Sequence, residues 1–91
     1  MEVKWTENGQ SDLTRLYDFL APLNRDAALR IAKAIVAAAA RLVENPRLGE
    51  QLFEFEPREV RRIVVGRYEL RYEIQGPVVY ILRIWHTRED R

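Results

Sequence analysis

Several arginines and the chain's single histidine are the side chains whose types and positions could carry chemistry. All of them lie in the last third of the sequence: Arg61, Arg62, Arg71, Arg83, His86 and Arg88. Guanidinium groups hold phosphate or carboxylate oxygens in a defined geometry, and histidine exchanges protons near neutral pH. Arg71 and Arg83 could hold a phosphate or a carboxylate, and His86 could serve as a general base. The Arg61-Arg62 pair and Arg88 could meet an acidic partner or only keep the surface soluble.

Each of these residues also has a structural interpretation. Arg71 and Arg83 are predicted on one face of a sheet, where they could hold phosphate or a carboxylate. They could instead pair across strands with Glu69 and Glu73. A lone histidine at a strand end is more often structural or solvated than catalytic. No second histidine and no cysteine could join His86 at a metal, so we expect no metal and no other cofactor.

The residues from Arg61 to His86 are predicted to form a β-meander that organises the rest of the chain. Gly66 and Gly76-Pro77 separate three runs rich in β-branched and aromatic residues. The middle run alternates between an inner face and an open face, with Tyr68, Leu70, Tyr72 and Ile74 on the first and Glu69, Arg71 and Glu73 on the second. The run before it leaves two sets open for the inner side, Val60, Arg62 and Val64 or Arg61, Ile63 and Val65.

In the last run, the alternation leaves a choice of which residues face the core. The set assigned to the core is Tyr80, Leu82 and Ile84, and the set assigned to the open face is Ile81, Arg83 and Trp85. We prefer this assignment because it avoids burying an arginine without a partner.

A helical hairpin is predicted to cover the apolar face of the meander. The first helix can be capped by Thr6, although Gly9 weakens its first turns and its start could instead lie at Ser11. It ends near Pro22 and carries an apolar stripe at helical spacing, Leu13, Leu16, Tyr17 and Leu20. The second is predicted from the cap Asn24 to Asn45, roughly 20 residues, with the stripe Ala28, Ile31, Ala32, Ile35, Ala39 and Leu42. Its run Ala37–Ala40 could pack tightly against the first helix or form a groove for a partner.

A short strand with Val3 and Trp5 precedes the hairpin, so the predicted element order is β-α-α-β-β-β. The segment from Phe53 to Phe55 fits a strand or an extended edge segment equally well. We therefore predict the α+β class, with the helix hairpin packed on one face of an antiparallel sheet. A length of 91 residues without a linker or repeat predicts one domain, residues 1–91.

Composition argues against several classes of function. The net charge is +1, from 15 basic and 14 acidic residues, so we expect no direct sequence-specific binding to nucleic acid. There is no cysteine for a disulfide framework. No apolar run approaches the ~20 residues of a membrane span, and the amino terminus lacks the apolar region of a secretory signal. We expect a cytoplasmic protein with no membrane partner.

Short segments spread along the chain carry a family resemblance: Val3–Thr6, Ser11–Leu13, Asn45–Gly49, Arg58–Arg62, Tyr68–Tyr72 and Ile84–Arg88. In this order and spacing, the chain resembles the ParE branch of the RelE/ParE toxin superfamily over nearly its whole length. The resemblance implies the RelE/ParE-like fold, which agrees with the element order predicted from the residues.

The resemblance also implies a function, the toxin of a type II toxin-antitoxin system of the kind linked to plasmid stabilization. ParE-like members are generally described as poisons of DNA gyrase, so the expected activity is inhibition of gyrase rather than catalysis. The expected partner is a ParD-like antitoxin, whose carboxy-terminal segment wraps the toxin.

Two binding surfaces are predicted from the apolar stripes, the free sheet edges and the basic residues. The antitoxin is expected to contact Leu13, Leu16, Ala28, Ile35 or their exposed neighbours, together with Arg61, Arg62 and Arg71. The target is expected to contact the end of the last strand, at Arg83, Trp85, His86 and Arg88.

The alternative function comes from the RelE-like members, which cut messenger RNA on the ribosome. It would assign phosphate-holding or acid-base roles to Arg61, Arg62, Arg71, Arg83, His86 and Arg88. Glu69 stands where many RelE-like chains have an arginine that holds phosphate. Arg88 matches an arginine at the end of the last strand, but no tyrosine follows it. A third alternative is an inert member that is kept as a binding partner.

Overall fold

The computed structural model describes residues 1–88, which form two helices and a five-stranded sheet. The elements in chain order are β1 (Glu2–Trp5), α1 (Glu7–Leu20), α2 (Arg25–Arg41), β2 (Glu50–Gln51), a 3₁₀ turn (Phe53–Phe55), β3 (Glu59–Val65), β4 (Tyr68–Gln75) and β5 (Val78–His86). The α+β class is confirmed. The segment Phe53–Phe55, predicted as a strand or an extended edge, instead forms the 3₁₀ turn, and the two-residue strand β2 before it was not predicted.

Both helices begin at the predicted caps. The Thr6 hydroxyl accepts from the Gly9 N–H at 3.0 Å, and the Asn24 side chain accepts from the Ala27 N–H at 3.0 Å. α2 ends at Arg41, four residues before the predicted end at Asn45. Residues 42–44 continue as a turn rather than as helix.

Gly9 allows α1 to lie directly against β5. A Cβ at this position would lie 2.5 Å from the carbonyl oxygen of Ile81. Thr6 strengthens the same contact, since its hydroxyl donates to that oxygen at 2.8 Å. The first turn of α1 is thereby held at the edge of β5.

The sheet is mixed rather than antiparallel, which corrects one part of the prediction. Its strand order is β1-β5-β4-β3-β2, and β1 pairs with β5 in parallel, while the other pairs are antiparallel. The α1–α2 hairpin carries the chain away from β1, and the later strands form their own meander before β5 returns beside it. The alternation of residues along β1 carries no information about the direction of its partner.

A β-bulge in β5 makes the predicted core set of that strand partly wrong. Tyr72 of β4 pairs with Ile81 and Arg71 pairs with Arg83, so Leu82 is an extra residue that shifts the alternation. The buried core residues of β5 are Val79, Ile81 and Ile84, whereas Tyr80 and Leu82 are only half-buried. Only Ile84 of the predicted set belongs to the core.

The core lies between the helices and one face of the sheet. It consists of Ile35, Ala39, Leu42, Leu70, Tyr72, Ile74, Val79, Ile81 and Ile84. The Tyr72 hydroxyl donates to the carbonyl of Pro46 at 2.7 Å and accepts from the Gly49 N–H at 2.9 Å. Burial raises the pKa of Tyr72, so the hydroxyl stays protonated and ties the loop before β2 to the core.

Candidate functional site

Arg71 lies on the open face of the sheet, the face away from the helices. Its guanidinium stacks over the Trp85 ring at 4.7 Å and over the Phe55 ring at 5.3 Å. It also contacts Glu69 at 3.4 Å. Two aromatic rings and a carboxylate thus hold this arginine in place, although Glu69 lies on the same strand as Arg71 and the predicted pairing was across strands.

Glu69 is a buried carboxylate shared by two arginines. It accepts from Arg62 at 3.1 Å as well as from Arg71, and only 7% of the residue is exposed. Arg62 in turn donates to Glu50 of β2 at 2.7 Å. These carboxylates raise the pKa of Arg62. The pairing runs across three strands and neutralises the middle of the open face.

Glu73 pairs with Arg58 rather than with Arg71 or Arg83. The Arg58 guanidinium donates to both carboxylate oxygens of Glu73, at 2.6 and 3.2 Å. The hydrogen bond from Arg58 holds the pKa of Glu73 below its usual value. The sequence interpretation missed Arg58 as a partner of Glu73, since Arg58 lies just before β3 and was named only within the segment Arg58–Arg62 that carries the family resemblance.

Arg61 lies on the opposite face from Arg62. It pairs in register with Tyr72 of the core face, and its guanidinium donates to Glu59 at 2.9 Å and to the Gly49 carbonyl at 2.7 Å. The arginines that sequence spacing grouped together are therefore divided between two faces, because neighbouring residues of a strand point in opposite directions.

Asp12 of α1 is a buried carboxylate that the sequence interpretation did not select. It is 2% exposed and accepts from the Arg83 Nε at 2.8 Å, the Ile84 N–H at 2.9 Å and Arg15 at 2.9 Å. Burial raises its pKa, but the hydrogen bonds from Arg83 and Ile84 and the charges of both arginines lower the pKa further, so the net shift is downward. The sequence did offer one signal of its burial: Asp12 lies four residues before Leu16, on the apolar stripe of α1.

This carboxylate closes a gap in the sheet. β1 ends at Trp5, opposite Ile81, so the Ile84 N–H on that edge has no strand partner. The Asp12 side chain accepts that N–H and holds Arg83 beside it. Arg83 is thus held by Asp12 at the junction of α1 and β5, while its strand neighbour across the sheet is Arg71.

Two adjoining cavities form a groove between the helix hairpin and the ends of the strands. The first, of about 400 Å³, is lined by Leu16, Phe19, Tyr68, Ile84, Trp85 and His86, with Asp12, Arg15 and Arg88 as its charged residues. The second, of about 520 Å³, is lined by Phe19, Leu20, Ile31, Ala34, Val65, Gly66, Arg67, Tyr68 and His86. We call their union the hairpin groove. Phe19 belongs to both cavities and is 72% exposed.

The hairpin groove brings together most of the predicted target-binding residues. Trp85, His86 and Arg88 line its first cavity. His86 packs against Tyr68 in an edge-to-face contact at 5.3 Å. Its Nδ1 accepts from the Arg88 N–H at 3.1 Å. Arg83 adjoins the groove through Asp12, which lines it.

The structure corrects two of the predicted antitoxin contacts. Ala28 and Ile35 are 0% exposed, and Ile35 belongs to the core cluster, so no partner can touch either residue directly. Leu13 and Leu16 are half-buried against the core, and Leu16 also lines the hairpin groove. The exposed apolar neighbours on the hairpin are Phe19, Leu23, Leu29 and Val36.

Within residues 1–88, no group of acidic, histidine or cysteine side chains is arranged to hold a metal ion. The helices of this described part are also too short and too polar to cross a membrane.

Comparisons with known proteins place the chain in a family. Residues 3–91 match the family described as "ParE toxin of type II toxin-antitoxin system, parDE". The chain belongs to the ParE toxin family. It is 35% identical over 86 residues to "Toxin RelE2" of Caulobacter vibrioides, a match that covers 94% of each chain. The predicted resemblance is confirmed, and the protein is a ParE-type toxin of a type II toxin-antitoxin system.

A solved structure supports the same assignment. The fold is similar to a chain of the "Chromosomal ParDE TA system from P. aeruginosa", with a TM-score of 0.79 and 26% identity. The match covers 94% of this ParE-family chain and 95% of that structure. The mixed five-stranded sheet with its helix hairpin is therefore the RelE/ParE-like fold that was predicted.

Proposed function

We propose that this ParE-family toxin acts in the cytoplasm by binding and inhibiting DNA gyrase, and that a ParD-like antitoxin neutralises it. Membership of the ParE family supports this function, as does the likeness to a ParDE system. The toxin itself catalyses no reaction in this proposal. Its effect comes from contact with the target enzyme.

The ion pairs of the open face are the observation that carries the proposal. Arg62 and Arg71 are held by Glu69, and Arg58 is held by Glu73. Both glutamates are buried, so their negative charges lie just beneath the surface that a nuclease would present to RNA. An RNA phosphate would have to displace a carboxylate to reach either arginine, at the cost of leaving it buried and unpaired.

A paired assay tests the activity. Purified toxin is added to gyrase with relaxed plasmid, and in parallel to ribosomes stalled on a defined message. We expect loss of supercoiling or accumulation of cleaved DNA, with the message left intact. Codon-specific cleavage of the message with normal supercoiling would refute gyrase inhibition and establish the endoribonuclease instead.

The endoribonuclease remains the second candidate because of one local arrangement. His86 and Arg88 lie together in the hairpin groove, where an imidazole could exchange a proton beside a guanidinium. If this function is correct, His86→Ala and Arg88→Ala should each abolish message cleavage. If gyrase is the target, neither variant affects message, because the parent protein does not cleave it.

We also propose where the antitoxin binds. A ParD-like carboxy-terminal segment would lay an apolar face into the hairpin groove, with Phe19 as the central contact. The groove supports this placement because apolar residues line it and Phe19 is largely exposed. Arg15, Arg67 and Arg88 surround it, so acidic residues of the segment would meet positive charge. Such charges raise the association rate more than the final affinity.

Amide exchange and rapid mixing test this placement. A peptide of the antitoxin's carboxy-terminal segment should slow exchange in α1 and at the β3–β4 turn, which together bound the groove. The association rate should fall as salt rises, and Trp85 in the groove wall provides a fluorescence signal for it. Protection confined to the open face, with both groove elements unchanged, would rule out this binding mode without affecting the family assignment.

A further inference from the structure

β1 forms an outer edge of the sheet with one side unpaired. Glu2 donates to the Pro77 carbonyl at 2.9 Å, and Thr6 donates to the Ile81 carbonyl at 3.1 Å. Backbone groups of a strand alternate in direction, so Lys4 also faces β5, while the N–H and C=O groups of Val3 and Trp5 face outward. Within the described residues no other strand lies on that side. The edge can therefore accept another strand.

The side chains of β1 alternate between the two faces of the sheet. Val3 and Trp5 pack against the core, whereas Glu2 and Lys4 are exposed on the open face. Neither Glu2 nor Lys4 has an ion-pair partner among residues 1–88. Two unpaired charges of opposite sign thus stand two residues apart on one face of a free edge.

We propose that β1 is a self-association surface, at which a second copy of this chain adds its own β1 in the antiparallel direction. The register is centred on Val3, whose outward N–H and C=O exchange hydrogen bonds with those of the partner's Val3. In this register Glu2 lies opposite the partner's Lys4, and Lys4 lies opposite the partner's Glu2. The twofold symmetry makes both ion pairs form at once.

A register centred on Lys4 would place the two copies' Lys4 side chains opposite each other, like charge against like charge. A register centred on Trp5 is excluded by the chain itself. It would place Val3 opposite residue 7 of the partner, which already belongs to α1. The register at Val3 places the partner's Trp5 beside Met1, so the two copies of α1 leave the joined edge in opposite directions. The two five-stranded sheets then become continuous.

The other outer edge of the sheet lacks this complementarity. β2 covers β3 only at Arg61 and Arg62, so Val64 is the next outward residue of β3. An antiparallel copy centred on Val64 would place Arg62 opposite Gly66, and no pair of unlike charges would form. Charge complementarity therefore favours β1 as the self-association edge.

The interface proposed here is small. A joined edge of four residues buries less surface than the roughly 1,000 Å² expected of a stable interface, so the dimer is weak and forms only at high protein concentration. The inference does not depend on gyrase inhibition or on antitoxin binding, since β1 contributes no residue to the hairpin groove.

A charge-swap experiment tests the proposal on the full chain without antitoxin. Sedimentation velocity is measured up to millimolar concentration for the parent protein, E2K, K4E and an equimolar mixture of the two variants. We expect the parent to self-associate and each variant to bind itself about tenfold more weakly, since each of its homodimers opposes like charges twice. The mixture should recover association, because the mixed dimer opposes unlike charges twice.

Amide exchange gives a second measurement that needs no substitution. The N–H groups of Val3 and Trp5 should become protected as concentration rises, while that of Lys4, which already faces β5, should not change. A monomeric parent at millimolar concentration would overturn the proposal. So would variants that associate as well as the parent, or a mixture that stays monomeric. Circular dichroism confirms that each variant is folded.

Discussion

The open face of the sheet and the hairpin groove differ in how many of their side chains already have partners within the protein. On the open face, Glu69 and Glu73 neutralise the arginines around them, and Trp85 covers Arg71. In the groove, Phe19 stays 72% exposed above two apolar cavities. Arginines that buried carboxylates already neutralise have little to gain from a partner, whereas an apolar groove gains free energy when it is filled. The contrast supports the proposal that the groove is the binding region of this ParE-family toxin.

The largest effect is expected from truncating the exposed aromatic residue of the groove. Phe19→Ala should weaken binding of a ParD-like segment by about 2 kcal/mol or more, roughly 30-fold in Kd, because a central aromatic contact is lost. Phe53→Ala is the matched control, since Phe53 is 63% exposed and lies outside the groove. Calorimetric titration measures both. If the two variants lose binding affinity equally, the groove is not a special binding region compared with the rest of the surface.

A somewhat smaller effect is expected at Asp12, where the groove meets the sheet edge. Asp12→Asn keeps the acceptor for the Ile84 N–H but removes the charge that holds Arg83. The free energy of unfolding should therefore fall by about 2 kcal/mol. Asp18→Asn, an exposed position on the same helix, should change stability little. Urea denaturation at neutral pH measures the difference.

The same substitution should change the dependence of stability on pH. The pKa of Asp12 is lowered from 3.8 in the folded protein, so the unfolded state binds more protons as pH falls below that value. The stabilisation is present above pH 3.8 and is lost as pH falls through the folded pKa. Asp12→Asn should therefore flatten the acid limb of the stability curve. An unchanged limb would mean that Glu73 and Glu59, whose pKa values are also lowered, dominate it.

A modest effect is expected at the centre of the open face. Arg71→Ala loses contact with two rings and one carboxylate, which should lower the free energy of unfolding by about 1–2 kcal/mol. Inhibition of gyrase by the folded variant should stay the same as for the parent and for Arg30→Ala, an exposed control on α2. If a folded Arg71→Ala protein loses its activity, the open face is a functional surface after all.

The smallest effect is expected at the rim of that face. The Arg62 side chain is 41% exposed, and its removal leaves Glu69 paired with Arg71. Arg62→Ala should therefore lower the free energy of unfolding by about 0.5 kcal/mol, and by less at high salt, because salt screens an exposed ion pair. Thermal unfolding at low and high ionic strength measures this. A loss that does not depend on salt would indicate packing of the side chain rather than ion pairing.

Local features of the fold could be read from the chain because local groups produce them. Thr6 and Asn24 cap the helices with their own side chains, and Gly66 and Gly76 take the positive φ values that the two tight turns require. The alternation along β4 predicted its inner face correctly, since Leu70, Tyr72 and Ile74 are buried in the core. These signals depend only on residues a few positions apart.

The candidate site was predicted less completely. Trp85, His86 and Arg88 do meet in one cavity, because all three lie at the end of one strand. Phe19 was missed, although it lies close to the stripe residues Leu16 and Tyr17. An apolar stripe predicts which residues of a helix are buried, but it does not predict an exposed aromatic residue beside the stripe. Ala28 and Ile35 were assigned to the antitoxin from the same stripe that buries them.

The sequence by itself determined the caps, the turns, the order of the helices and of the four longer strands, and the family. Only the tertiary structure decided that β1 runs parallel to β5, that a bulge at Leu82 shifts the core set, and that Asp12 reaches Arg83 and Ile84. Each of these is a pairing between segments distant in the chain. Such a pairing is chosen by the combined burial and hydrogen bonding of both segments, so neither segment's own pattern contains it.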